Sequence, residues 1–124
     1  MVLIIGGAYQ GKLDFAKSEF NLSQEDIFTC SGGEIDFSKP CIDHIEEFTL
    51  ACAQSGEDAA AYFRSHRGQW QDSVLICRDI SAGVVPMGAD MRAWRQMNGL
   101  LCRYLTGEAS RVSRIFCGLE ERLK

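Results

Sequence analysis

The feature that most constrains this chain is Gly6-Gly7-Ala8-Tyr9-Gln10-Gly11-Lys12, set directly behind the apolar run Val2-Leu3-Ile4-Ile5. A continuous apolar run that stops at glycines suits a strand buried on both faces. Lys12 to Phe20 then reads as a helix, with Phe15 and Ala16 facing inward and Asn21 as its stop. Strand, glycine loop and helix in that order satisfy the G-x-x-x-x-G-K part of a phosphate-cradling loop. The glycines let successive N–H groups converge on an anion. The helix that follows adds its positive end, and Lys12 would put a point charge on the outer phosphates. The expected ligand is GTP or ATP, held by Gly6 to Lys12. The plainer alternative is a glycine turn that only joins strand to helix.

Leu13 is the departure from that pattern. A Ser or Thr hydroxyl normally contacts Mg²⁺ at this position, and leucine has no oxygen to offer. Magnesium is therefore expected to be weakly held, and no residue is assigned as its ligand. Tyr9 either stacks on a base or covers the loop.

The rest of the chain alternates between two periods. Asp26 to Cys30 reads as a second strand, and Glu34 to Phe37 as loop or short strand. A helix is expected from Ser38-Lys39-Pro40 onward, with Ile42, Ile45, Phe48 and Cys52 forming its apolar stripe. His44 falls among acids on the polar side of that helix and reads as surface. A further helix spans Glu57 to His66, and Ser73 to Cys77 is a buried strand ending at Arg78-Asp79. Gly83 to Gly88 reads as irregular loop. Asp90 is expected to cap a helix with Met91, Trp94, Met97, Leu101 and Leu105 on one face and Gly107 at its end. Arg114 to Cys117 is the last expected strand, followed by Gly118 and a charged tail.

Strands separated by helices argue for α/β architecture with a parallel sheet. The expected fold is three-layer and P-loop NTPase-like, in one domain over residues 1–124, with about four to five strands in a mostly parallel sheet and helices on both faces. Ligands in such sheets sit at the C-terminal strand ends, where the glycine loop and Arg78-Asp79 both fall.

Composition narrows the partners. Apolar residues make up 46% of the chain and charged residues 24%, enough for a packed core without staples. The net charge of −4 and the absence of a basic run argue against nucleic acid. The six cysteines show no C-x-x-C pairing or metal spacing and read as buried thiols of a reducing cytosol. The Val2–Ile5 run is too short for a secretory segment, and no stretch reaches membrane-spanning length. The expected location is the cytoplasm, without membrane contact.

Several segments taken in order resemble the bifunctional adenosylcobinamide kinase / adenosylcobinamide-phosphate guanylyltransferase family of cobalamin biosynthesis. The family loop reads G-G-A-R-S-G-K-S, against Gly6 to Leu13 here. A family stretch N-E-V-G-x-G-I-V-P resembles Arg78 to Pro86, and R-x-x-R-D-x-x-G-x-x-N-Q resembles Met91 to Arg103. The family's closing G-L-P-x-x-L-K is similar to Gly118-Leu119 followed by Leu123-Lys124. The resemblance covers both ends of the chain, about half of it; the family enzyme is longer in the middle.

The resemblance implies a kinase step, γ-phosphoryl transfer from a nucleoside triphosphate to a corrinoid hydroxyl, and then transfer of GMP. It implies Lys12 and Asp79 as catalytic candidates; Asp79 aligns with the family's Glu and is otherwise a solvated strand-end carboxylate. His66 faintly matches the guanylyl-accepting histidine, within Tyr62 to Trp70, but lacks the arginine-proline that follows in the family. Arg92 and Arg95 match family arginines; one turn apart, they would clamp phosphate or pair with carboxylates. The family's D-C-L-T-L-W acidic strand end has no evident counterpart. Self-association into a homo-oligomer is also implied. The expected function is nucleotide binding, with Leu13 weakening the kinase step and the guanylyltransferase step lost. The alternative is a non-catalytic regulatory or scaffold protein.

Overall fold

The computed structural model describes residues 1–80 and 88–124. Strand β1 (Val2–Gly6) leads into helix α1 (Lys12–Phe20), then β2 (Ile27–Thr29) and β3 (Cys41–Asp43). Helices α2 (Ile45–Ser55), α3 (Ala59–Ser65) and α4 (Arg67–Trp70) precede β4 (Val74–Arg78). Helix α5 (Ala89–Glu108), β5 (Arg111–Phe116) and β6 (Leu119–Arg122) complete the order. One six-stranded sheet runs β2-β3-β4-β1-β5-β6. Every pairing is parallel except the β5–β6 hairpin.

The apolar run of β1 sits near the middle of the sheet because it has a core on each side. Leu3 belongs to one buried cluster and Ile4 to the other, both fully buried. Period-2 alternation of the strand sends neighbours to opposite faces. The Leu3 face carries Ile45 and Phe48 of α2, Phe63 of α3, Trp70 of α4 and Leu101 and Leu105 of α5. The Ile4 face is covered by α1 through Ala16, with Leu13, Phe15 and Phe20 packed around it. Helices thus lie on both faces, and the C-terminal strand ends point toward one rim.

The sheet has six strands, not four or five. Neither β3 nor β6 was expected. Ile42 lies on the same three-and-four spacing as Ile45 and Phe48, so a helical stripe runs unbroken through a three-residue strand. The chain actually switches at His44, whose left-handed backbone (φ 57°) ends β3 and starts α2. β6 has no apolar pattern, being exposed at every position. Helix α5 begins at Ala89, one residue before the expected Asp90 cap, and passes through Gly107 to Glu108. Met91 is exposed, whereas Trp94, Leu101 and Leu105 are buried as the stripe required. Most of the Gly83 to Gly88 loop lies outside the described residues, as does most of the Arg78 to Pro86 match.

All six cysteines are free thiols. Burial pushes those of Cys30 and Cys41 up to about 12. Among the described residues, no helix is long and apolar enough to cross a membrane.

Candidate functional site

At the end of β1 the backbone of β5 comes so close that only glycine fits. A Cβ on Gly6 would stand 2.6 Å from the carbonyl oxygen of Ile115. The chain then turns through Gly7 to Gly11 and enters α1 at Lys12. Gly11 precedes the helix in a left-handed conformation (φ 90°), and no side chain caps the helix start. First-turn amides without a capping side chain leave a positive end open to an anion. Lys12 folds back across the loop, its Nζ donating to the Gly7 carbonyl at 2.6 Å. Burial lowers the Lys12 pKa, while the nearby Glu46 and Asp43 carboxylates raise it in part.

Two buried carboxylates lie across from that lysine. Asp43 ends β3, and its own backbone carbonyl receives the Cys30 amide at 2.9 Å. Its Oδ1 accepts the His44 backbone N–H at 2.7 Å. Burial raises the Asp43 pKa; His44 and Lys12 act the other way. Glu46, in the first turn of α2, is only 3% exposed. Its Oε1 accepts the Arg78 backbone N–H at 2.9 Å, and its Oε2 lies 2.9 Å from His44 Nδ1. The second ring nitrogen, Nε2, is 3.7 Å from Asp43 Oδ2. His44 is thus exposed among acids as expected, but it precedes α2 instead of lying on its polar side, and it lines the site between two carboxylates.

A polar ladder fixes this corner from behind. Trp94 Nε1 donates to the Glu46 carbonyl at 2.9 Å and to Thr49 Oγ1 at 3.0 Å. Thr49 in turn donates to Asn98 Oδ1 at 2.8 Å, and Asn98 Nδ2 reaches the Arg78 carbonyl at 3.3 Å. Satisfied buried polar groups of this kind hold one geometry, because any shift leaves a donor or acceptor unpaired. Trp94 is therefore a core residue, as its place on the stripe required.

These parts enclose a cavity of about 340 Å³. It is lined by Ala8 to Leu13 on one side and by Asp43, His44, Glu46, Glu47 and Arg78 on the other. Of the loop residues expected to hold phosphate, Ala8 to Lys12 line this cavity, whereas Gly6 and Gly7 do not. Leu13 lines the cavity and also packs against the α1-side core, so its side chain is structural. The fit to magnesium is narrow. Among the described residues, no group of three His, Cys, Asp or Glu side chains is arranged to hold a metal. Asp43 Oδ2 lines the same cavity as Lys12 and has no backbone amide partner among the described residues, and one carboxylate with phosphate oxygens and water is a common magnesium set.

The other expected residues do not line this cavity. The Asp79 backbone N–H donates to the Gly6 carbonyl at 2.8 Å, which ties β4 to the loop, but its side chain is exposed outside the lining. Arg92 and Arg95 on α5 are not among the lining residues. His66 ends α3, its ring 4.3 Å from that of Tyr62 and 5.5 Å from that of Phe37, and its Nδ1 lies 2.7 Å from the Tyr62 carbonyl. It is a helix-end packing residue.

Asp43, His44, Glu46, Glu47 and Arg78 were missed as lining residues. The available signal was Cys41-Ile42-Asp43, two apolar residues and an acid ahead of a helix, the form of an acidic strand end. Compared with protein-family models and with curated proteins, the chain matches none.

Proposed function

We propose that this chain is a P-loop NTPase-like protein that binds GTP or ATP, a shortened relative of the adenosylcobinamide kinase/guanylyltransferases. One observation carries the reading: Lys12, at the start of α1, lines one cavity with the loop residues Ala8 to Gly11 and with Asp43, the carboxylate that ends β3. The loop amides would take the phosphates and Lys12 would leave the Gly7 carbonyl for a phosphate oxygen, a stronger, charge-assisted acceptor. Asp43 would hold magnesium, with water where a hydroxyl is missing at Leu13. Bound magnesium supplies charge neutralisation to the phosphates.

The residues divide the two family activities. A kinase step would use Lys12 and the loop to position the γ-phosphoryl near a corrinoid hydroxyl; Lys12 and Ala8 to Gly11 lining one cavity support that step, and Leu13 weakens it. Guanylyl transfer needs a histidine with a nitrogen open to the α-phosphate. His66 is not among the lining residues, and both nitrogens of His44 face carboxylates. On this reading the second activity is lost.

Leu13 favours a second reading, in which the loop binds nucleotide or serves as scaffold without turnover. Melting with and without Mg²⁺ and GTP or ATP separates occupancy from its absence. Ligand at about 100 Kd adds near 3 kcal/mol. No shift with either nucleotide leaves the scaffold reading.

A further inference from the structure

We propose that the turn between β5 and β6 is a strut that positions the anion loop through Gln10. Cys117 and Gly118 are the two central residues of this hairpin, with φ of 50° and 78°. They close the Phe116–Leu119 pair as a tight primed turn. The central amides of such a turn ordinarily face water. Here both are directed at one loop residue: the Cys117 N–H donates to Gln10 Oε1 at 2.6 Å, and the Gly118 N–H donates to the Gln10 carbonyl at 2.8 Å. The contact is close along its length, since a Cβ on Gly11 would lie 3.6 Å from the Gly118 Cα.

The loop needs such a hold. Tyr9, beside Gln10, is fully exposed and sits in the left-handed region at φ 60°. A non-glycine residue is kept there only when its surroundings fix it. Lys12 grips the loop from inside through the Gly7 carbonyl, and Gln10 Nε2 reaches the Ala8 carbonyl at 3.4 Å. The strut is the grip from outside, and β5, paired to β1 along Val2 to Ile5, gives it a fixed base. The exposed hairpin thus has a task at the site, although no residue of β6 lines the cavity.

The strut's role in ligand binding rests on the nucleotide reading above; its role in loop order does not. Gln10→Met keeps the side-chain length but removes the acceptor, and Cys117→Asn keeps the turn amide in a residue that favours the left-handed region. The first readout is backbone ¹⁵N relaxation of residues 7–12 without ligand; the second is the Kd for Mg–GTP and Mg–ATP. Gln10→Met is expected to raise fast motion in the loop and weaken nucleotide binding about tenfold, with Cys117→Asn like the wild type in both. Unchanged relaxation and Kd in Gln10→Met would overturn the strut. A loosened loop in a protein whose wild type binds no nucleotide keeps the strut and overturns the nucleotide reading. Should Gln10→Met not fold, a bulky maleimide on Cys117, the exposed thiol, provides the same pair of measurements, and an undisturbed loop after labelling refutes the proposal.

Discussion

Lys12 Nζ donates to the carbonyl of Gly7, five residues earlier in the same loop, at 2.6 Å. The bond folds the lysine side chain back across the loop. It also spares a half-buried ammonium from lacking an acceptor. Lys12→Met is therefore expected to leave the free protein within about 1 kcal/mol of the wild-type stability. It should weaken nucleotide binding by at least about tenfold, because a charge-assisted phosphate contact is lost. Denaturant melts and a nucleotide titration of the same sample check both halves.

Leu13→Ser supplies the hydroxyl that the loop lacks. Nucleotide affinity should become more dependent on Mg²⁺, and magnesium-dependent phosphoryl transfer should appear or rise. The exchange removes packing against the α1-side core, so a loss of about 1–2 kcal/mol in stability is expected with it. Unaltered magnesium dependence would show that Leu13 does not limit the site.

Asp43 gives the pH dependence. Burial raises its folded pKa above the ordinary 3.8, so the native state takes up this proton more readily than the unfolded chain. Its contribution is then fully present below pH 3.8 and is lost as pH rises through the raised value. At neutral pH the ionised carboxylate is a burden on the fold. Asp43→Asn, which keeps an acceptor for the His44 amide, is expected to melt a few degrees higher at pH 7. The gain should shrink as the pH is lowered toward 4. The same variant should weaken nucleotide binding in the presence of Mg²⁺ more than in its absence.

The buried strands β1 and β4 were legible as apolar runs, the turn into α1 by its glycines, and α5 by its 3.6-residue stripe of Trp94, Leu101 and Leu105. The opposite wall of the site was not. Cys41-Ile42-Asp43 is a strand written in the period of the helix that follows, and only the backbone of His44 separates the two. Three residues carry too little periodicity to outweigh eleven. β6 is stabilised by pairing with β5 and by the ion pair of Arg111 with Glu120, 2.6 Å apart, neither of which a local pattern reveals. Arg78 was noticed at a strand end, but its position on the cavity wall depends on β4 lying between β1 and β3.

His66 separates sequence resemblance from placement. His66→Gln removes the ring from its contacts with Tyr62 and Phe37 and should cost about 1 kcal/mol of stability. Nucleotide binding should not change. Incubation with α-labelled GTP should leave both wild type and variant unlabelled; a labelled wild type that the variant abolishes would restore His66 as a nucleophile.

The central claim is that the amides of the first loop receive an anion. Titrating ¹⁵N-labelled protein with Mg–GTP or Mg–ATP and following the backbone amides of residues 7–13 tests it most directly. Large, saturable shifts centred on Gly11 and Lys12, absent in Lys12→Met at the same concentrations, are the expected result. Loop amides that do not move at millimolar nucleotide would contradict the account.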